Sequence, residues 1–221
     1  MSTLQPHPLP PRDLHPLPAR VPARVAARVA GRLADRRLLA ALLVAWLPLA
    51  ALLFATDGRF SIAAVTERCD TAPPDVRPYT SPAEVRDFVR ACGDAGLAAY
   101  RDLQLVDLVY PATFGLLLAT ALALLLRAGR PDASRWAGLA VLPLLAATFD
   151  YAENVAAWAL LARAPDPAPW AERLQGVASA SKQVTTWAAA VLLLACLARA
   201  GVALVRRTAA RRSLSSGHGS L

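Results

Sequence analysis

One lysine, Lys182, and three histidines, His7, His15 and His218, are all that this chain holds of either residue. The histidines lie in the two terminal tails, so none falls within an apolar run. Neither Gly-x-Ser-x-Gly nor His-Glu-x-x-His occurs, which leaves serine or zinc hydrolysis without support. The three cysteines form no Cys-x-x-Cys pair, which removes zinc ribbons and thioredoxin-type sites. No internal repeat points to an inverted-repeat transporter.

What the chain has is apolar mass. Of its 221 residues 56% are hydrophobic, gathered in blocks, and the mean hydropathy is +0.37. That pattern fits a single membrane bundle better than a soluble domain. The net charge of +8 could suit nucleic acid, but the arginines cluster beside the apolar blocks, which is the positive-inside pattern. The partner implied is the lipid bilayer, with no nucleic acid.

Residues 1–19, rich in proline, read as a disordered tail. Over 20–37, Arg20, Arg24, Arg28, Arg32 and Arg36 recur every fourth residue, with Val21, Val25, Val29 and Leu33 one step on. This is a basic amphipathic juxtamembrane helix, drawn to anionic lipid headgroups by about 1 kcal/mol per arginine near the surface. It leads straight into a first span over 38–54, a signal anchor and not a cleaved peptide. Residues 56–101 are polar and extracytoplasmic. Within them Ser81-Pro82-Ala83-Glu84 is a helix start with its own capping box, and the helix is expected to stop at Gly93. Cys69 and Cys92 fall on this oxidising side, either as a bridge worth about 3 kcal/mol or as two free thiols.

Further spans follow over about 103–126, 136–161 and 177–205, separated by a basic turn at Arg127, Arg130 and Arg135 and by a proline-rich outer loop holding Trp170. Residues 206–221 read as a basic disordered tail. The expected fold is all-α: a four-helix transmembrane bundle with a helical extracytoplasmic loop between spans 1 and 2. Both termini face the cytoplasm of what is read as a bacterial cytoplasmic membrane.

Three of these spans carry polar residues in their outer halves. Asp150, Glu153 and Asn154 stand at i, i+3 and i+4 on one helix face, roughly 12–18 Å below its outer end. Asp107 with Tyr110, and Lys182, lie at comparable depth in their own spans, so a bundle can gather all six into one layer. Three carboxylates then face one ammonium, and protons, a cation or water must offset the excess. Asn154, Thr185 and Tyr110 also suit inter-helix hydrogen bonding, and Gly115, Ala119 and Ala123 suit close packing.

The order Pro78-Tyr79-Thr80-Ser81-Pro82-Ala83-Glu84, Gly93-Asp94-Ala95-Gly96 with Tyr100, Asp107-x-x-Tyr110-Pro111, Asp150-Tyr151-Ala152-Glu153-Asn154 and Ser179-Ala180-Ser181-Lys182 resembles a widespread family of small four-span membrane proteins. The resemblance spans about Leu38 to Val205. It departs where an arginine commonly follows the glycine turn, since Leu97 and Ala98 stand there. It implies the architecture and the polar layer and names no chemistry.

Three functional readings follow. The layer of Asp107, Tyr110, Asp150, Glu153, Asn154 and Lys182 binds a cation, a proton or a lipid headgroup, through oxygens that suit hard cations. Alternatively, a desolvated Glu153 or Asp150 is the general acid or base of a lipid-modifying enzyme, with Lys182 or a Ser179–Lys182 or Ser181–Lys182 arrangement assisting. In the third, the chain is an assembly subunit docking through the Ser81–Cys92 helix. Cofactor, metal and oligomeric state are left open.

Overall fold

A computed structural model describes residues 20–129 and 136–216 of the chain. Among them there is helix and no strand. The expectations for residues 1–19, for Arg130, Pro131 and Arg135, and for 217–221 lie outside the described residues.

Helix α1 (Arg20–Leu33) realises the four-residue arginine period. Arg28 and Arg32 are exposed, while Ala30 and Leu33 are buried against Ala119, Leu122, Ala123 and Ala140. The C-terminal half of its apolar face is thus covered by protein, while Val25 is exposed. It does not run directly into the next helix as the sequence suggests: the chain breaks at Ala34–Asp35. There the Asp35 side chain caps α2 (Arg36–Phe54) by accepting from Arg37 N at 2.7 Å. An aspartate at that point ends one helix by capping the next.

Helix α2 buries only Leu53, and Val44 is 72% exposed. An apolar helix with an uncovered apolar surface is what lipid contact produces. Its inner contact is aromatic, Trp46 stacking on Phe114 with centroids 5.8 Å apart.

The 56–101 segment holds more structure than a single helix. Ser61 caps a short α3 (Ile62–Cys69) by accepting from Ala64 N, and Asp70 ends it in the left-handed region at φ 51°. After a 3-10 turn at Pro74–Val76, α4 (Pro82–Asp107) begins with the capping box read from the sequence, Ser81 and Glu84 each satisfying the other's backbone. The Ser81 hydrogen bonds hold the Glu84 carboxyl below its usual range. Gly93 is a kink and not a stop. Its φ of 55° is reached cheaply by glycine, and the chain re-enters helix for another fourteen residues, 94–107. Cys69 and Cys92 are joined by a disulfide that ties α3 to α4. A Cβ on Gly96 would come within 2.7 Å of Cys69 Sγ, so only glycine admits the bridge beside this turn. Val65, Val85, Phe88, Val89, Tyr100 and Leu103 close an outer core on Leu160, Leu161 and Ala171. On the surface, a bidentate Arg59–Asp102 pair (2.7 and 2.8 Å) holds the Asp102 carboxyl below its usual range.

A break at Leu108–Val109 separates α4 from α5 (Tyr110–Gly129), so the expected second span over 103–126 begins on one helix and ends on another. A 3-10 turn (Ala137–Val141) leads into α6 (Leu142–Ala162), and α7 (Pro169–Ser216) follows. Helix α7 begins eight residues before the expected start at 177, since Pro169 fits a helix N-terminus as well as a loop. It also runs through Ser216, so 206–216 is helical where a disordered tail was expected. Small residues set the packing: Ala156, Ala157, Ala171 and Ala178 are buried, and a Cβ on Gly115 would lie 2.9 Å from Ala147 Cβ and 3.1 Å from Pro143 O.

Three stretches are long and apolar enough to cross a membrane: α2, the run from Pro82 to Ala128 that contains α5, and Pro169–Arg206 of α7. On α7, Val184, Trp187, Val191 and Leu194 form an exposed stripe at i, i+3, i+7 and i+10. Helix α6 is not in this set. Its 21 residues reach about 31 Å at 1.5 Å each, but Asp150, Glu153 and Asn154 lower its apolarity.

Candidate functional site

The polar side chains of α6 and α7 meet where the two helices pack. Lys182 Nζ bonds to Asp150 Oδ1 at 3.1 Å, to Glu153 Oε2, and to the backbone carbonyl of Asp75 at 2.9 Å. An ammonium has three protons to donate, so these three acceptors use all of them. Glu153 is fully buried; its other oxygen is met by Ser179 Oγ and by Gln175 Nε2 at 3.2 Å. Gln175, Ser179 and Lys182 sit at i, i+4 and i+7, one stripe of α7 facing α6.

Asp75 was not expected here. The 3-10 turn that carries it reaches over the layer, and Gln104 Nε2 donates to its Oδ2 at 2.8 Å. It is 6% exposed, and burial pushes its carboxyl above the usual range, opposed by the charge of Lys182. Asp150 and Glu153 are the carboxyl groups bonded to Lys182, and Asp75, which reaches the lysine through its backbone carbonyl, adds to the layer an acid that the sequence reading did not include. The strap is also pinned at Thr80, which is fully buried; a Cβ on Gly176 would stand 2.3 Å from Thr80 O.

The remaining expected residues divide. Asn154 Nδ2 donates to the Asp107 carbonyl at 2.8 Å, linking α6 to the end of α4, and Tyr151 OH donates to Leu108 O at 3.0 Å. In these bonds two carbonyls freed by the helix break find donors. Asp107 and Tyr110 lie together on the wall of a cavity and not on Lys182. Among the described residues Thr185 bonds only back along its own helix, to Ser181 O and Lys182 O, and links no second helix. Ser179 Oγ is engaged by Glu153 and by Gln175 O, and Ser181 Oγ by Val177 O, so neither hydroxyl is paired with the Lys182 amine as a Ser–Lys nucleophile requires.

The cavity, about 260 Å³, is lined by the polar residues Asp75, Asp107, Asp150 and Lys182 and by the apolar residues Phe54, Leu103, Phe114 and Leu118. Gln183 and Thr186 add two polar groups from α7. Among the described residues no three His, Cys, Asp or Glu side chains converge in a way that could hold a metal ion. Comparison of the chain with protein-family models, with curated proteins and with solved structures found no match.

Asp75 yields a prediction with a definite sign. An acid whose carboxyl is raised in the fold keeps its proton where the unfolded chain has lost it. Its contribution to stability therefore falls as pH climbs from the ordinary aspartate range through the raised value. Asp75→Asn removes that dependence. It also offers an N–H to Gln104 Oε1, which has no partner among the described residues. The variant is expected to be more stable than wild type at neutral pH by about 1 kcal/mol, with a flatter profile of melting temperature against pH between 4 and 7. Equal melting curves across that range would show that Asp75 titrates normally.

Proposed function

We propose that this chain is a multi-pass integral membrane protein whose polar layer around Lys182 belongs to a ligand-binding site in the outer half of the bilayer. In this reading α2, α5, α6 and α7 are four spans. Helix α1 and both termini lie on the cytoplasmic side, and α3 with most of α4 lies outside. Support comes from the three apolar stretches, from Arg127 and Arg206 at the opposite ends of their helices from the disulfide, and from Glu153 and Asp150 being shielded by α7. Maleimide that cannot cross membranes should label Asp166→Cys in intact cells and spare Ala128→Cys; labelling of both from outside sinks the four-span arrangement.

The observation that carries the binding reading is the mismatch of charge and space. One fully engaged ammonium bonds two carboxyl groups, Asp150 and Glu153, while Asp75 and Asp107 line a cavity that also has apolar residues in its wall, their carboxyl groups making no bond to that ammonium among the described residues. Adhesion between helices needs neither surplus acid nor empty volume. The enzyme reading is less favoured because, of its two acids, Glu153 is fully buried, held by Lys182, Ser179 and Gln175, and is not part of the cavity wall, while Asp150, which does line the cavity, is engaged by Lys182. Docking through the Ser81–Cys92 helix is less favoured because its apolar residues Val85, Phe88 and Val89 are already buried in the outer core. The motifs behind the family resemblance, Asp107-x-x-Tyr110-Pro111, Asp150 to Asn154 and Ser179 to Lys182, all contribute to this one region.

The test is native mass spectrometry with elemental analysis on the gently solubilised full chain, wild type beside Asp107→Asn. A small species carried by wild type and absent from the variant is expected. The reading falls if the two carry the same species in the same amount, or if both are bare.

A further inference from the structure

The surplus acid and the form of the cavity together narrow the ligand. This step rests on the binding reading above and deepens it. Lys182 has no proton left to donate, yet Asp75 Oδ1, on a residue 6% exposed that lines the cavity, has no hydrogen-bond partner among the described residues. Asp107 lines the same wall. The site has room for a further hydrogen-bond donor, and the acids Asp107 and Asp150 on its wall favour a cationic one. A bare metal ion fits poorly, since no three acidic, histidine or cysteine side chains converge to hold one among the described residues. An anion fits worse, because it would meet carboxylates whose only lysine is occupied. Much of the remaining lining is carbon: Phe54, Phe114 and Leu118, with the Tyr110 ring stacked on Phe114 at 5.7 Å. Such a wall suits an apolar body attached to the donor, and aromatic rings near a cation add attraction of their own. The volume is slightly under the roughly 300 Å³ at which pockets for drug-sized ligands begin, so the occupant is small.

We infer that the cavity binds an organic ammonium that retains N–H donors and carries a compact apolar substituent, its nitrogen placed between Asp75 and Asp107. The same chemistry is offered by a free alkylamine and by the ammonium of an aminophospholipid headgroup.

Calorimetric titration of the full chain in maltoside micelles tests this, with butylammonium chloride, its neutral counterpart 1-butanol, sodium chloride and calcium chloride as separate probes. Butylammonium should bind saturably and about tenfold more tightly than 1-butanol, the factor that a charge-assisted hydrogen bond contributes. Asp107→Asn should lose that advantage, while Asp102→Asn, outside the cavity, should keep it. Should Asp107→Asn fail to fold, Thr186→Leu, which fills the cavity without touching a charge, should abolish binding of both organic probes. Repeating the butylammonium titration in micelles that contain phosphatidylethanolamine separates the sources: weaker binding assigns the ammonium to the lipid, and unchanged binding to a free amine. Equal affinity for butylammonium and 1-butanol overturns the inference but leaves a ligand cavity standing, as does saturable binding of sodium or calcium alone. No saturable binding of any probe overturns the inference together with the reading on which it rests.

Discussion

Replacing Lys182 by methionine should be the most damaging single change in the membrane-embedded part of this protein. The substitution conserves much of the side-chain volume, so packing is not the main loss. What goes is the one cation against which Asp150, Glu153 and the Asp75 carbonyl are all placed. Removing one partner of a buried ion pair leaves an uncompensated buried charge, at a cost of about 3–5 kcal/mol. Here two carboxyl groups lose their partner together, and the strap loses one of its attachments. Thermal unfolding in micelles should show a large fall in midpoint for Lys182→Met. Adding Glu153→Gln to that variant should recover part of it, because it removes one of the stranded charges. A double-mutant cycle should then give a coupling of about 1–3 kcal/mol. Lys182→Arg should fall between the two, since a planar guanidinium cannot aim three donors at acceptors arranged around a compact ammonium. A Lys182→Met variant that melts with wild type would mean that the acids carry no charge for the lysine to balance.

The polar layer was legible in the sequence because helical spacing is a strict rule. Asp150, Glu153 and Asn154 had to share a face, and a lysine alone in 221 residues had to be near them if the bundle closed. Asp75 obeys no such rule. It reaches the layer through a turn between Pro73-Pro74 and Pro78, one of several acids in a segment whose sequence reads only as polar. The prolines were the available signal, since a rigid turn holds a side chain in place where a flexible loop does not. Ser179 shares the Lys182 face within the expected span, whereas Gln175 lies before the expected start at 177, so its place on that stripe is visible only once α7 is known to start at Pro169. The helix limits misled in one consistent way. Gly93 and the prolines near 167 look like helix stops, yet glycine can kink a helix that resumes, and proline can open one. Helix α3, eight residues long, is too short for periodicity to reveal. Thr185 failed as inter-helix glue because its hydroxyl has carbonyls of its own helix within reach.

Breaking the Cys69–Cys92 bridge should act on the site as well as on stability. The bond closes a 23-residue separation, and in the chain-entropy view a loop of that size is worth about 3 kcal/mol. Cys69→Ser with Cys92→Ser should therefore lower the unfolding midpoint by several degrees. The consequence for the site follows from chain order. Asp75 is six residues beyond Cys69, and the strap over 70–80 that carries it is otherwise fixed by Lys182 Nζ, by Gln104 Nε2, and by the Thr80 backbone lying on Gly176. Arg77 adds a bond from within the strap itself, to Ala72 O at 2.7 Å, which stiffens the turn without tying it to the bundle. Losing the bridge frees the N-terminal end of this strap, so Asp75 should exchange between placed and released positions while α6 and α7 stay packed. Amide hydrogen exchange separates this from global loosening. Faster exchange confined to 62–80, with protection of 150–160 and 176–190 retained, is expected. Uniformly faster exchange across all of these segments would mean that the disulfide supports the whole bundle and has no particular hold on the strap that delivers Asp75.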